Sequence, residues 1–156
     1  MKLVCFFVSL VLAVLASTMA VTSASAQGVI IVGNLYEETK SASCFGAGNS
    51  ACHLIFNPAP PTNKILITDV SCLFTHTQPI AQSAIAVSDS PTSGPFRRFE
   101  YFPAQTGNAQ AGNTFSAAKF KTNFLFGEGK YPAIYFNMVA VGTGQITCKI
   151  VGVVQP

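Results

Sequence analysis

Charged side chains are scarce in this sequence of 156 residues, in which nine Lys and Arg stand against six Asp and Glu. Nucleic-acid binding requires clustered cations that displace counterions from phosphates. Only Arg97–Arg98 and the pair Lys119 and Lys121 bring cations close together in the sequence, and both patterns are typical of solvated strand faces. The composition therefore argues against a nucleic-acid partner.

Histidine is rarer still, because only His53 and His76 occur. Neither has a second ligand-type side chain two or four residues further along the chain, and no CxxC pair is present, whereas neighbouring zinc ligands usually stand two to four residues apart. The sequence also lacks a Walker loop, a GxSxG elbow and an HExxH motif. We therefore predict no metal site and no cofactor, and assign no catalytic residue.

Long apolar runs are missing after residue 26, but one stands at the start of the chain. Met1–Lys2 carries positive charge, Leu3–Ala16 is a predominantly apolar run, and Ala24–Ser25–Ala26 supplies small residues before a cut. This arrangement is typical of a secretory signal peptide. A spanning helix needs about 20 apolar residues, and this run is interrupted from Ser17 onward. We predict a signal peptide at 1–26, a secreted or periplasmic protein, and no stable membrane anchor after cleavage; an uncleaved anchor is the alternative.

Four cysteines remain in the predicted mature chain of residues 27–156. In an oxidising compartment an even number of cysteines indicates disulfides. Of the three possible pairings we favour Cys44 with Cys52, which closes a Gly-rich loop, and Cys72 with Cys148, which ties a central strand to the last one. The longer closed loop removes about 4 kcal/mol of unfolded-state entropy, against about 2 to 3 kcal/mol for the shorter one.

The mature chain alternates apolar and polar residues between turn signals. Strands are predicted at Gly28–Tyr36, Cys52–Phe56, Lys64–Thr75, Ser83–Ser88, Phe96–Phe102, Thr114–Phe126, Tyr131–Val141 and Gln145–Val154. Glu37–Asn49 shows little periodicity, and Thr106–Asn113 contains two Gly-Asn pairs, so both segments are predicted to be loops. No stretch after Ala26 keeps a helical period for about ten residues.

About eight short strands of this kind predict an all-β protein. Two antiparallel sheets packed face to face, as a jelly-roll or Greek-key β-sandwich, cover the apolar faces of that many strands. A small β-barrel is the alternative. We expect residues 27–156 to form a single domain, since a chain of this length buries about two thirds of its unfolded surface.

Aromatic residues are abundant, with 13 Phe and four Tyr but no Trp. The densest group, together with two arginines, lies in one predicted strand and consists of Phe96, Arg97, Arg98, Phe99, Tyr101 and Phe102. Exposed aromatic rings stack on sugar faces or form protein interfaces. This group is a candidate binding patch for a protein or glycan ligand; the alternative, which is favoured because a sandwich of this length needs most of its rings inside, is that the rings belong to the core.

These features predict an exported, disulfide-stabilised β-sandwich with a non-enzymatic binding, adhesive or structural role. The alternative is a small secreted hydrolase that acts on a glycan or ester and uses Glu100 or Asp69 with His76. Convergence of these side chains in one pocket would favour the enzyme. A third hypothesis is a subunit of an assembly, in which Val29–Val32 completes a neighbour's sheet.

Overall fold

The computed structural model describes residues 28–44 and 50–156, so the predicted signal peptide lies outside the described residues. The strands are β1 (Val29–Val32), β2 (Leu35–Cys44), β3 (Ala51–Ile55), β4 (Lys64–His76), β5 (Ile80–Ser88), β6 (Phe96–Tyr101), β7 (Gln105–Gln110), β8 (Asn113–Phe126), β9 (Tyr131–Met138) and β10 (Gly144–Gln155). In the described part of the chain, no helix has the length and apolar character needed to cross a membrane.

The strands form two antiparallel sheets. The larger sheet has the order β1-β2-β10-β4-β8-β7, and the smaller sheet has the order β3-β9-β5-β6. Strands β2 to β5 pair in nested fashion with later strands: β2 with β10, β3 with β9, β4 with β8 and β5 with β6. These pairs alternate between the sheets, so the chain is one long hairpin wrapped into two layers, which is jelly-roll connectivity.

The predicted all-β, two-sheet architecture is therefore confirmed. The alternative of a small barrel is wrong, because over the described residues the two sheets remain separate layers. Their inner faces carry the core, in which the largest fully buried side chains are Tyr36, Phe56, Phe74, Phe126, Phe136, Ile65, Ile67, Ile85, Ile134, Ile146, Ile150 and His76.

An irregularity at Thr68 in β4 changes which side chains of this strand face the core, and it shifts the register against both neighbouring strands. In β4 the register against β8 shifts between Ile67 and Asp69, so Ile67 and Val70 are both buried although they differ in parity. In β10 the register against β4 shifts between Val151 and Gly152. The two backbones come close together here, since a Cβ atom on Gly152 would lie 2.4 Å from the carbonyl oxygen of Leu66.

Two segments predicted to be loops are strands. Glu37–Asn49 overlaps β2, which lies between β1 and β10 in the larger sheet. The sequence of β2 does not alternate between apolar and polar residues, because its inward-facing residues include the polar Glu38 and Lys40. Thr106–Asn113 overlaps β7, whose six residues are all exposed, so backbone pairing with β8 holds this edge strand in the absence of side-chain burial.

The structure contains two disulfides, Cys44–Cys52 and Cys72–Cys148, which are the pairs favoured from the sequence. Cys72 and Cys148 stand directly opposite each other in β4 and β10, with their Cα atoms 4.1 Å apart. This bridge therefore lies within the larger sheet. Cys44 and Cys52 belong to β2 and β3, so the bridge with the shorter loop is the one that links the two sheets.

Candidate functional site

Five aromatic rings meet on the outer face of the smaller sheet. They belong to His53, Phe96, Phe99, Tyr101 and Tyr135, and we call this group the aromatic platform. The ring centroids of His53 and Phe96 are 5.3 Å apart, those of Phe96 and Tyr135 6.2 Å, and those of Tyr135 and Phe99 6.3 Å. Phe99 and Tyr101 follow at 6.0 Å with their planes only 6° apart. These contacts therefore connect rings from β3, β9 and β6.

The outward direction of the platform follows from strand alternation. Ile134 and Phe136 are fully buried in the core, so Tyr135 between them points to the opposite side of β9. His53 stands opposite Tyr135 in the neighbouring strand β3. Phe99 and Tyr101 are 42% and 59% exposed, respectively, so they are the rings most accessible to a ligand.

Three alanines form the floor beneath the platform. Ala84 lies between Tyr101 and Tyr135 in the sheet, and Ala86 stands opposite Ala133. All three alanines are fully buried although they face away from the core cluster. Their small side chains let the aromatic rings lie close to the sheet, and neighbouring side chains cover them. The platform is therefore supported from below.

A bulge in β6 brings the platform's rings to one face. The register of β5 against β6 shifts between Ile85 and Val87, and Arg98 has a φ of 52°. One extra residue in β6 reverses the alternation, so Phe96 and Tyr101, which differ in parity, lie on the same side of the sheet. The arrangement therefore depends on backbone register as well as on residue type.

Arg98 itself turns away from the platform. Its guanidinium carbon lies 4.9 Å from the centroid of the Phe124 ring, and its Nη1 donates a hydrogen bond of 2.8 Å to the carbonyl oxygen of Leu125. Both of these partners belong to β8 in the larger sheet. Arg98 thus connects the two sheets and is not available to a ligand on the platform.

The remaining residues of the predicted patch are also placed away from it. Arg97 pairs with Asp89, with Nε 3.0 Å from Oδ2. Phe102 is only 6% exposed and stacks on Phe120 with centroids 4.2 Å apart, so it is a core residue. The sequence placed Phe102 with its neighbours because it continues the aromatic run, but β6 ends at Tyr101.

The edge of the smaller sheet beside the platform carries a small charge network. Asp89 bonds Lys130, with Nζ 2.8 Å from Oδ1, and also pairs with Arg97. The hydrogen bond from Lys130 and the two positive charges lower the pKa of Asp89 below its ordinary value. Asp89 is therefore ionised at neutral pH and occupied by its own partners.

The residues named for a hydrolase do not share one pocket. His76 and Ser116 are 1% and 2% exposed, with Nε2 2.8 Å from the Ser116 hydroxyl oxygen. His76 Nδ1 is 2.7 Å from the carbonyl oxygen of Gln78, which only accepts, so Nδ1 donates to it, and in the neutral imidazole the Ser116 hydroxyl donates to Nε2. This tautomer suits a serine nucleophile, but burial closes the pair to substrate.

Glu100 and Asp69 lie elsewhere in the sandwich. Glu100 accepts a hydrogen bond of 2.7 Å from Thr122, which is six residues beyond Ser116 in β8 and hence about 20 Å from it along the strand. Asp69 faces the outer side of the larger sheet, where it lines a shallow depression with Lys119 and Lys149, among others. Within residues 28–44 and 50–156, no three His, Cys, Asp or Glu side chains are grouped closely enough to hold a metal ion.

A second polar constellation, absent from the sequence-based predictions, surrounds Glu38. This carboxylate is fully buried, accepts a hydrogen bond from the Tyr36 hydroxyl, and receives the backbone N–H of Asn57 at 3.1 and 3.2 Å. Lys40 Nζ lies 3.2 Å from Glu38 Oε1 and 3.3 Å from Asn57 Oδ1. Burial, reinforced by the bond to Glu38, raises the pKa of Tyr36. We call these four residues the Glu38 cluster.

The two constellations differ in their accessibility to a ligand. The platform exposes rings from one sheet face to solvent, whereas the Glu38 cluster is enclosed between β2 and the segment after β3. Of the two constellations, the platform is therefore the one that is open to solvent. Comparison of the chain with protein-family models, with curated proteins and with solved structures found no match.

Proposed function

We propose that this protein is an exported, non-enzymatic binding protein that holds a carbohydrate chain against the aromatic platform. The observation that carries the proposal is the pair of exposed rings of Phe99 and Tyr101, which are parallel within 6° and lie on a supported sheet face. Aromatic rings offer a large apolar contact area at low conformational cost. The apolar C–H faces of sugar rings are well suited to such contacts.

The surroundings of the two rings favour a chain ligand over a small molecule. The platform extends across three strands of an open sheet face, through Tyr135 and His53, and is not enclosed as a pocket. The tyrosine hydroxyls and the imidazole supply hydrogen-bonding groups for sugar hydroxyls. Charge is scarce here, because Arg97 is paired with Asp89 and Arg98 turns towards β8.

The separation of the candidate catalytic groups supports the non-enzymatic part of the proposal. A glycosidase needs two carboxyl groups about 5 to 10 Å apart on either side of the scissile bond. Asp69 faces the outer side of the larger sheet, whereas Glu100 faces Thr122 between the sheets. The Ser116–His76 pair has suitable hydrogen bonding but is buried.

The disulfides support export. Two disulfide bonds in a chain of this size fit an oxidising compartment, since cytosolic thiols are kept reduced. The predicted signal peptide gives the route to that compartment. Whether the protein is released to the medium or kept in a periplasm, the same platform is available to a polysaccharide.

A pull-down on insoluble polysaccharides tests the proposed function. The exported protein is incubated with cellulose, chitin, xylan and peptidoglycan, and the bound fraction is measured for the wild type and for the double variant Phe99→Ala, Tyr101→Ala. Loss of two stacking rings is expected to weaken retention by at least about tenfold. The matched control is Leu73→Ala, Phe115→Ala, which removes two exposed apolar side chains from the other sheet and is expected to leave retention unchanged.

Two results would overturn the proposal. If none of the four polysaccharides retains the wild-type protein, the carbohydrate ligand is wrong. If the control variant loses as much retention as the platform variant, the binding is non-specific and the platform is not the site. A third result would change the ligand. If the protein binds a purified protein through the platform but binds no polysaccharide, the ligand is a protein and not a carbohydrate.

A further inference from the structure

In the Glu38 cluster, the Lys40 amine stands within contact distance of two other reactive groups. The amine of Lys40 lies 3.2 Å from the carboxylate oxygen Oε1 of Glu38 and 3.3 Å from the carboxamide oxygen Oδ1 of Asn57. Glu38 is fully buried, and the Lys40 side chain is 22% exposed. An amine, a carboxamide and a shielded carboxyl group are the components needed to make an amide bond between two side chains.

We propose that Lys40 and Asn57 become joined by an intramolecular amide bond and that Glu38 carries the proton for its formation. Lys40 begins as an ammonium ion and passes one proton to the Glu38 carboxylate. The resulting amine attacks Asn57 Cγ, so that a new C–N bond forms between Nζ and Cγ. The bond from Cγ to the original amide nitrogen then breaks, and that nitrogen leaves as ammonia.

The reaction is balanced in atoms and in charge, and it needs no further reactant. A lysine ammonium ion, a carboxylate and a primary carboxamide become a secondary amide, a carboxylic acid and ammonia. A second proton on Nζ moves to the leaving nitrogen, with Glu38 as the relay, and the first remains on the Glu38 carboxyl group. No oxidant or reductant is needed, because no atom changes its oxidation state.

Burial favours the products of this reaction. A buried ion pair is costly because both charges lose their hydration, and the reaction removes both charges of the Lys40–Glu38 pair. The neutral Glu38 carboxyl group that results can donate a hydrogen bond to the new amide. The 22% exposure of Lys40 provides a route by which ammonia can leave.

The backbone holds the reacting groups in position. The N–H of Asn57 donates to both oxygens of Glu38, which fixes the asparagine beside the carboxylate. Lys40 Nζ also donates to the carbonyl oxygen of Ile55 at 3.2 Å, which directs it towards the end of β3. Prior alignment of two reactants replaces an unfavourable encounter by a step within one folded molecule.

The new bond would reinforce a connection that one disulfide already makes. Lys40 belongs to β2 and Asn57 follows β3, and these are the strands linked by Cys44–Cys52. An amide bond, unlike a disulfide, withstands thiol reductants. We therefore expect the link between the two sheets to persist when both disulfides are reduced.

Peptide mapping by mass spectrometry tests the inference on the exported, reduced and alkylated protein. We expect the intact chain to be lighter than its sequence mass by about 17 Da, the mass of ammonia. Digestion with trypsin is expected to give a branched peptide that contains both Lys40 and Asn57, with no cleavage after Lys40. Fragment ions locate the bond between these two side chains.

The N-terminus requires a specific control. If the signal peptide is cleaved before Gln27, cyclisation of that glutamine also releases ammonia and gives the same mass change. The N-terminal peptide is therefore mapped separately. A loss of ammonia found only there, or trypsin cleavage after an unmodified Lys40, would overturn the inference.

Two variants separate amide formation from ordinary ion pairing. Lys40→Arg keeps the positive charge next to Glu38 but has no primary amine, so its chain should keep the full mass at this site. Glu38→Gln keeps the shape of the side chain but removes the proton carrier, and should leave Lys40 and Asn57 unlinked. If either variant fails to fold, the peptide map of the wild type alone decides whether the bond exists.

Discussion

Replacement of Gly152 by alanine is expected to destabilise the fold, because the added methyl group meets the backbone of the neighbouring strand. A Cβ atom at this position would lie 2.4 Å from the Leu66 carbonyl oxygen and 3.1 Å from both the Leu66 carbonyl carbon and the Ile67 Cα. These atoms belong to β4, which is paired on both sides. Neither a side-chain rotation nor a small local shift relieves the contact.

The magnitude follows from two opposing contributions. Overpacking in a close-packed region costs about 1 to 3 kcal/mol, and backbone atoms in a central strand place this site near the upper end. Alanine restricts the unfolded chain more than glycine does, which returns about 0.4 to 1 kcal/mol. The net loss is therefore about 2 kcal/mol, which corresponds to a decrease in Tm of about 8 °C for a domain of this size.

Thermal unfolding followed by circular dichroism, with both disulfides oxidised, measures this change. Gly127→Ala is the matched control, because a Cβ atom there would meet only the flexible Lys130 side chain at 3.9 Å. The control should melt within about 2 °C of the wild type. A Gly152→Ala protein that melts as the control does would show that β4 and β10 separate easily at the bulge, contrary to the close packing described above.

Three further predictions concern the core and the charged groups. Phe102→Ala should cost about 3 to 5 kcal/mol in urea unfolding because Phe102 is a core residue; a change below about 0.5 kcal/mol would place it on the surface instead. Lys130→Met should raise the pKa of Asp89 towards its ordinary value, as measured by NMR titration, because the main cause of its lowering is lost. Tyr36 has a raised pKa, so its contribution to stability is complete below its ordinary value of 10.0 and is lost as the pH rises above it. Tyr36→Phe should therefore flatten the decline of the urea midpoint above that pH, and an unchanged slope would contradict the assignment.

The strands with apolar inner faces were predictable from the sequence. In β4 and β8 the alternation of apolar and polar residues can be recognised in the sequence despite the bulge at Thr68 in β4. The disulfide pairs were favoured over two other pairings because of their positions in the predicted strands and the Gly-rich loop. These features are local or depend on one simple pattern, so the sequence expresses them directly.

Strand β2 could not be recognised in the same way because its inward positions are polar. Glu38 is acceptable in the core only because Asn57, 19 residues later in the chain, donates its backbone N–H to the carboxylate. Lys40 is likewise compensated from the end of β3. Hydrophobic periodicity gives no information about partners of this kind, since their proximity is created by the fold.

Only part of the aromatic platform was predictable, because the rest of it depends on contacts that the fold creates. The aromatic run in β6 marks the correct strand, but strict alternation would divide Phe96 and Tyr101 between the two faces. The register shift against Ile85 and Val87 brings them together. His53 and Tyr135 come from other strands, and their participation depends on cross-strand pairing that the sequence does not display.

The assembly hypothesis also changes once the sheet is known. Val29–Val32 is not a free donor strand, because it forms β1 and pairs with β2 of its own chain. It is nevertheless an edge strand, and Ile30, Ile31 and Val32 are 54%, 47% and 67% exposed. An apolar edge readily accepts another strand, so any self-association of this protein should respond to a charge placed on β1. Sedimentation velocity of Ile31→Lys against the wild type separates this edge from the platform, since the substitution leaves every ring of the platform in place.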